Sequence, residues 1–345
     1  MPGIDDGEHV RAATGRIGGG VQPAGSSHRR AVAGGRAGGA RGAVRPAARR
    51  DLRRCLPSVL RSTSDVAAAV SEVVNAGSNV WGGTGLTTTV ALAGKGGTGK
   101  TTIAALLIRY LAEERNGSIL AIDADPASNL NLVLGMEVEQ TVGDIREDML
   151  NLVQSSGALA GSMPGGMSKQ DYLDYQVQMA LVEGDRVDLL AMGRPEGPGC
   201  YCAANQMLRV IVDRLEKQYS YVVIDNEAGM EHLSRRTTRD VDVLLLVTDP
   251  TQRGLVAAEH MARMVPGLEI GVERVYLVVN RLRGEMPPPL AAAVARTGLE
   301  LVGTVPEDPA MAEFEYTGRP LVELPAETVV YQAVREIAEC VMGGT

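Results

Sequence analysis

Gly94-Lys95-Gly96-Gly97-Thr98-Gly99-Lys100-Thr101 decides the reading of this chain. An apolar run of strand length, Thr89–Ala93, leads into it, and Lys100–Glu114 follows with helical spacing. The stretch matches GxxxxGK[ST] in the strand–loop–helix context that the phosphate-loop motif requires. Glycines at these positions let successive backbone N–H groups turn inward around phosphate oxygens, and the helix start adds its positive dipole end. Gly94, Gly96, Gly97, Thr98 and Gly99 form the cradle; Lys100 is expected to reach the β- and γ-phosphates. The Thr101 hydroxyl is expected to ligate Mg²⁺, with Thr102 near the α-phosphate.

Outward from the loop the rhythm is regular. Apolar runs Ile119–Asp123, Val187–Ala191, Tyr221–Asp225, Val243–Thr248, Val275–Asn280 and Leu299–Val305 alternate with helical patterns over Asn205–Gln218, Leu255–Val265, Leu290–Arg296 and Thr328–Val341. Continuous apolar strands separated by helices predict an α/β fold, a mostly parallel sheet of seven or eight strands covered by helices on both faces. Ligands of such folds bind beyond the carboxyl ends of the strands, so the polar residues there are the ones to read. Gln154–Tyr175 fits the rhythm poorly: it begins with small residues, then turns helical, and reads as a mobile insertion; no internal repeat is visible.

The net charge of −8 hides two unlike segments. Residues 1–64 carry twelve arginines, no lysine and four acids, with no Phe, Tyr or Trp. Such a composition cannot bury enough apolar surface to offset its ordering entropy, so 1–87 is expected to be a disordered Arg/Gly/Ala-rich extension. Alternatives are an export signal around His28-Arg29-Arg30, a basic arm for nucleic acid, or a mis-assigned start with translation opening near Leu86. Residues 65–80 have the spacing of a short helix. Residues 88–345 form the expected ATPase domain, with a net of −14 that disfavours nucleic acid as its partner. Aromatics are 3% of the chain, too few for a base-stacking surface. No apolar stretch reaches transmembrane length, and four cysteines make no disulfide scaffold; a cytoplasmic, reducing location is expected.

Lys95, directly after the first glycine, makes the loop resemble the deviant phosphate loop, KGGxGK[ST]. The family that carries it holds the Min-system and chromosome-partition ATPases, nitrogenase iron protein and metal-insertion ATPases. The resemblance implies a homodimer in which Lys95 reaches the partner's phosphates, adding positive charge where the transition state needs it. Ile122-Asp123-Ala124-Asp125-Pro126 is similar to the family's first switch, with Asp125 orienting the attacking water and Asp123 near Mg²⁺. Val222-Val223-Ile224-Asp225 is similar to the second, with Asp225 as the Mg²⁺ partner through water and Gly229 free to follow the γ-phosphate. By the same resemblance Asn280-Arg281 and the Val305-Pro306-Glu307-Asp308 turn flank the adenine. An Asn-Lys-x-Asp guanine motif is missing, which favours ATP. The bland alternatives are a solvated Lys95, a strand-end turn at Asp125-Pro126 and a strand cap at Asn280.

Gly199-Cys200-Tyr201-Cys202 is the second informative stretch. Thiolates suit Zn²⁺, Cu⁺ or Ni²⁺; one Cys-x-Cys supplies two ligands, and a twofold dimer would supply four. An inert pair or a redox dithiol is the alternative, although cysteines this close make a strained disulfide. Met192-Gly193-Arg194-Pro195-Glu196-Gly197-Pro198-Gly199-Cys200-Tyr201-Cys202, with Asp225-Asn226-Glu227-Ala228-Gly229-Met230-Glu231-His232, resembles the CooC family. These are nickel-insertion accessory ATPases of carbon monoxide dehydrogenase maturation. The resemblance spans about Thr88 to Met342 and implies Ni²⁺ or Zn²⁺ at Cys200 and Cys202 and apo carbon monoxide dehydrogenase as client. The terminal helical segment, with one Arg and two Glu, is unlike a basic membrane-surface helix, so no membrane partner is expected. A partition or positioning switch of the Min type is the rival, and a nucleotide sensor without turnover a second. Cys340 reads as a core residue and His232 as a helix residue rather than a ligand.

Overall fold

The structure is a computed structural model that describes residues 87–155, 166–194, 202–227, 240–267 and 271–343, with the backbone alone at 153–155, 202–206 and 240. The Arg/Gly/Ala-rich extension and the helix expected at 65–80 lie outside the described residues.

Seven strands form one sheet. They are β1 (Thr88–Ala93), β2 (Ile119–Ala124), β3 (Val187–Ala191), β4 (Tyr221–Asn226), β5 (Asp240–Thr248), β6 (Gly271–Leu282) and β7 (Glu300–Pro306). Their order is β3-β2-β4-β1-β5-β6-β7, and every neighbouring pair is parallel. β1 is central, with β4 on one side and β5 on the other, so the loop leaving β1 opens at the middle of the sheet's carboxyl edge. All seven apolar runs expected from the sequence are strands.

Side-chain alternation along these strands builds two cores. Ala91, Ala93, Leu120, Ile122, Ile224, Leu244 and Leu246 face one layer; Val90, Leu92, Ile119, Ala121, Val223, Leu245 and Val247 face the other. The first layer is covered by α3 (Val142–Ser155), α4 (Lys169–Ala180), α5 (Cys202–Glu216), α6 (Gln252–Met264) and α7 (Pro288–Thr297). The second is covered by α1 (Lys100–Glu114), α2 (Leu130–Leu134), α8 (Pro309–Thr317) and α9 (Val329–Met342). Each fully buried Leu, Ile or Val contributes roughly 1.5–3 kcal/mol, so both faces are held without any special device.

Three readings change. The Gln154–Tyr175 stretch is not an insertion throughout. Residues 156–165 lie outside the described residues, but Ser168 caps α4 by accepting from the Asp171 N–H, and Leu173 and Val177 are buried in the first core. The helical end expected of this stretch is α4, whose buried face begins at Tyr172 and packs into the sheet instead of standing apart as an insertion. Cys340 is exposed on α9, not in the core, because it falls outside the buried stripe of Val334, Ile337, Ala338 and Val341. α3 is a further helix beyond those expected. Thr141 and Asp144 start it with a reciprocal cap: Thr141 N donates to Asp144 Oδ2 at 2.8 Å, and Asp144 N donates back to the Thr141 hydroxyl at 3.2 Å.

α9 docks on β7 and on α1, the helix of the phosphate loop. The Arg109 guanidinium lies 4.1 Å from the Tyr331 ring centre and bonds Glu113, while the Tyr331 hydroxyl donates to the same carboxylate.

Candidate nucleotide site

The loop after β1 is shaped by close approaches. A Cβ at Gly94 would overlap the Val247 carbonyl at the end of β5, and one at Gly99 would overlap the Asn280 amide. Gly99 is the N-cap of α1 with φ 86°, a left-handed conformation that glycine adopts without steric cost. It has no side chain to cap the helix, so the first N–H groups of α1 stay available to an anion. The loop's carbonyls have their own partners. The Lys95 carbonyl accepts from the Thr98 hydroxyl at 2.9 Å, the Thr98 N–H at 3.4 Å and Lys100 Nζ at 3.4 Å. With its carbonyls occupied this way, the loop is preorganised to bind an anion with its N–H groups.

Lys100 is buried, and burial lowers its pKa; Asp225, Asp125 and Glu227 oppose that shift and keep positive charge in the cradle. Lys95, Gly96 and Gly97 are exposed, and the Lys95 ammonium makes no hydrogen bond or ion pair among the described residues. Thr102 lies in the first turn of α1, half-buried.

The carboxylates converge from two adjacent strands. Asp123 and Asp225 are register partners at the ends of β2 and β4. The Thr101 hydroxyl donates to Asp225 Oδ2 at 2.6 Å. Asp225 Oδ1 is buried with no hydrogen-bond partner among the described residues. Burial pushes the Asp225 carboxyl up to about 7, with the Thr101 bond working against it. An orphaned carboxylate oxygen next to a threonine hydroxyl is a hard-oxygen donor set that fits Mg²⁺. Asp123 is fully buried and lies close enough to raise the Asp225 pKa further. Both its oxygens already accept backbone N–H bonds, from Asp125 at 3.1 Å and Leu130 at 3.0 Å. Its own carboxyl is pushed up to about 6 by burial. It therefore braces the turn that carries Asp125. That turn is tight: Asp125 Oδ1 accepts from Ala127 N at 2.8 Å, and Ser128, at φ 45°, returns its N–H to the Asp125 carbonyl.

On the other side of the loop, Asn280 Nδ2 donates to the Thr98 carbonyl at 2.7 Å, and Arg281 Nη1 donates to the Gly97 carbonyl at 3.0 Å. Pro306 ends β7 opposite Leu282, beside these two residues. The expected adenine flank and the phosphate loop are thus in direct contact. The sequence had no signal for this tie, nor for Asn226, whose buried amide donates to the Leu92 carbonyl at 2.9 Å and joins β4 to β1 just before the loop.

The cysteines are only partly in view. Cys200 lies outside the described residues, as do Gly229 and His232, and Cys202 opens α5 with its side chain undescribed. Of the chain between β3 and the cysteines, residues 192–194 are described. Met192 N donates to the Asp123 carbonyl at 2.8 Å, and the Met192 carbonyl accepts from Gly143 at the start of α3 at 2.9 Å. Among the described residues no group of three or more His, Cys, Asp or Glu is arranged to hold a metal ion. No described helix is long and apolar enough to cross a membrane.

A central phosphate loop on a seven-stranded parallel sheet, with a threonine–aspartate pair beneath it, defines a phosphate-loop ATPase. The chain belongs to the CbiA family, the CobQ/CobB/MinD/ParA nucleotide binding domain, whose signature spans residues 89–321. It is 47% identical over 250 residues to an uncharacterized ATP-binding protein of Methanocaldococcus jannaschii, covering 72% of this chain and 96% of that protein. It is 29% identical over 234 residues to the carbon monoxide dehydrogenase accessory protein CooC of Rhodospirillum rubrum, covering 66% of this chain and 87% of CooC. The fold is similar to that of the Pyrococcus furiosus cell division ATPase MinD, with a TM-score of 0.55 at 23% identity over 75% of this chain and all of the MinD chain.

Proposed function

We propose that the chain is an ATP-dependent metallochaperone that holds Ni²⁺, or Zn²⁺ in its place, between two copies of itself and assists nickel insertion into carbon monoxide dehydrogenase. The observation that carries this reading is the Cys200-Tyr201-Cys202 stretch, set between a strand end hydrogen-bonded to Asp123 and the first turn of α5. The likeness to CooC over 87% of that protein supports it.

In this reading ATP binds with its phosphates in the Gly94–Thr101 cradle, neutralised by Lys100 and, from the partner, by a second Lys95. Thr101, with Asp225 through water, would hold Mg²⁺, which would supply charge neutralisation at the phosphates. Asp125 orients the attacking water while its turn is held by Asp123. Asn280, Arg281 and Pro306 flank the adenine. Loss of the γ-phosphate then relaxes the Asp125 turn. Because Asp123 also anchors Met192, that change reaches the chain leading to Cys200 and Cys202. Two Cys-x-Cys pairs at a twofold axis supply four soft sulfurs. Coupling of this kind is reciprocal, so metal must tighten ATP binding by the factor that ATP tightens metal binding.

Native mass spectrometry of wild type and the Cys200→Ser/Cys202→Ser variant tests this, with and without a non-hydrolysable ATP analogue. One metal per dimer, lost in the variant, is the expected result. A nucleotide-bound dimer with no metal in either protein would overturn it and leave a switch ATPase of the MinD/ParA kind.

A further inference from the structure

β6 does not end as a regular strand. Val279 faces Thr304 and Leu282 faces Pro306, so Asn280 and Arg281 together oppose Val305 alone. This two-against-one register is a β-bulge, a device that re-aims side chains at the rim of a sheet. The bulge places Arg281 at φ 58°, one of only two non-glycine residues with positive φ among the described residues. A left-handed arginine carries strain that the surroundings must hold in place. Here the Asn280 Oδ1 does so by accepting the Arg281 N–H at 2.8 Å.

The strained conformation has a product. It turns the two side chains onto consecutive carbonyls of the phosphate loop, Asn280 onto Thr98 and Arg281 onto Gly97. A peptide unit that binds an anion through its N–H must aim its carbonyl the other way. A donor on the Gly97 carbonyl therefore fixes the orientation of the Gly97–Thr98 peptide, whose N–H belongs to Thr98. That N–H makes a long bond to the Lys95 carbonyl, at 3.4 Å, so the 3.0 Å contact of Arg281 with the Gly97 carbonyl is the shorter restraint on a peptide that glycine leaves freer to rotate. Gly97 is at φ 80°, and a Cβ there would meet nothing within 4 Å, so hydrogen bonds rather than side-chain packing at 97 set the conformation of this residue.

We propose that Arg281 is a positioning residue for the phosphate loop: the β6 bulge holds its guanidinium on the Gly97 carbonyl, which keeps the loop in its phosphate-binding conformation. Arg281 then acts on the phosphates through the loop, whatever it also does at the base. The proposal rests on the ATPase site and not on the metal reading.

The test is a set of three variants at one position, Arg281→Gly, Arg281→Ala and Arg281→Lys, in the full chain. The readouts are kcat and KM for ATP and calorimetric affinity for ATP and for inorganic tripolyphosphate, which has no base. Arg281→Gly relieves the left-handed strain and folds without it, so it separates the backbone from the guanidinium. Both Arg281→Gly and Arg281→Ala should weaken ATP and tripolyphosphate by the same factor, about ten-fold, the scale of one charge-assisted hydrogen bond. Arg281→Lys should return to within about three-fold of wild type by keeping a donor. Wild-type binding and turnover in Arg281→Gly would overturn the proposal. So would a loss confined to ATP with tripolyphosphate unchanged, which would make Arg281 a base contact instead.

Discussion

The Thr101 hydroxyl and the Asp225 carboxylate, brought together from α1 and β4, are each other's hydrogen-bond partners at 2.6 Å. A hydroxyl that gives its proton to Asp225 keeps its lone pairs for a cation, and the buried Asp225 carboxyl would have to be ionised to accept that proton and hold Mg²⁺ through water. With that carboxyl pushed up to about 7, protons compete with Mg²⁺ below neutrality. The affinity for Mg²⁺–nucleotide should rise about ten-fold per pH unit up to about pH 7 and level off above it. Titration of Mg²⁺–ADP across that range measures this; a flat profile would mean that Asp225 is already ionised without metal.

Thr101→Val keeps the side-chain shape and removes the hydroxyl. Turnover should fall by about 100-fold or more through loss of the metal ligand. ATP binding measured without Mg²⁺ should change little. Equal losses with and without Mg²⁺ would place Thr101 on the phosphates rather than on the metal.

Gly99→Ala tests the close approach that the fold demands. The new methyl would sit in a left-handed backbone and overlap the Asn280 amide. The chain should lose about 1–3 kcal/mol in denaturant unfolding and most of its ATP affinity, because the Asn280 bond to Thr98 is displaced. Gly97→Ala, with open space around its Cβ, should retain more nucleotide affinity than Gly99→Ala.

Glu216 at the end of α5 is buried, its Oε1 has no hydrogen-bond partner among the described residues, and burial followed by repulsion from Asp213 pushes its carboxyl up to about 8, with Lys217 opposing. The folded protein thus holds a proton that the unfolded chain releases above its ordinary value of 4.5. The stability this contributes is present at low pH and is lost as pH rises from about 4.5 to about 8. Glu216→Gln should flatten that fall in thermal unfolding scans between about pH 5 and pH 9, while wild type melts lower at the alkaline end. Parallel slopes would show that Glu216 ionises normally.

Arg109 joins α1 to the last helix through the Tyr331 ring, the Glu113 carboxylate and the Leu324 carbonyl. Arg109→Ala should cost about 1–3 kcal/mol of stability. Arg109→Lys should recover only part, since an ammonium cannot stack on the ring and serve two acceptors in one plane. Full recovery by lysine would reduce the contact to its charge.

Much of this site was legible because its chemistry is local. Gly94 to Thr101 is contiguous, and glycine spacing plus one lysine and one threonine states the phosphate geometry by itself. The seven strands were legible for a similar reason: a strand buried on both faces needs an unbroken apolar run, and composition records that directly. α3 was not among the helices read from the sequence, and α4 was read only as a helical end to the Gln154–Tyr175 stretch, because the caps at Thr141 and Ser168 that start them are local polar contacts an apolar pattern does not record. Cys340 was misplaced because a residue's face depends on the exact phase of its helix.

The sequence alone determined the parallel α/β sheet, the phosphate loop after its first strand and the carboxylates at the strand ends, while the strand order put that loop at the centre. Only the tertiary structure decided which of those residues touch. It joined Thr101 to Asp225 across 124 positions and Asn280 to Thr98 across 182, and it turned Arg281 onto Gly97 through a bulge. The reason is physical. Local motifs record what each short segment can do on its own, whereas strand order and register, set by burial over the whole sheet, choose which segments meet.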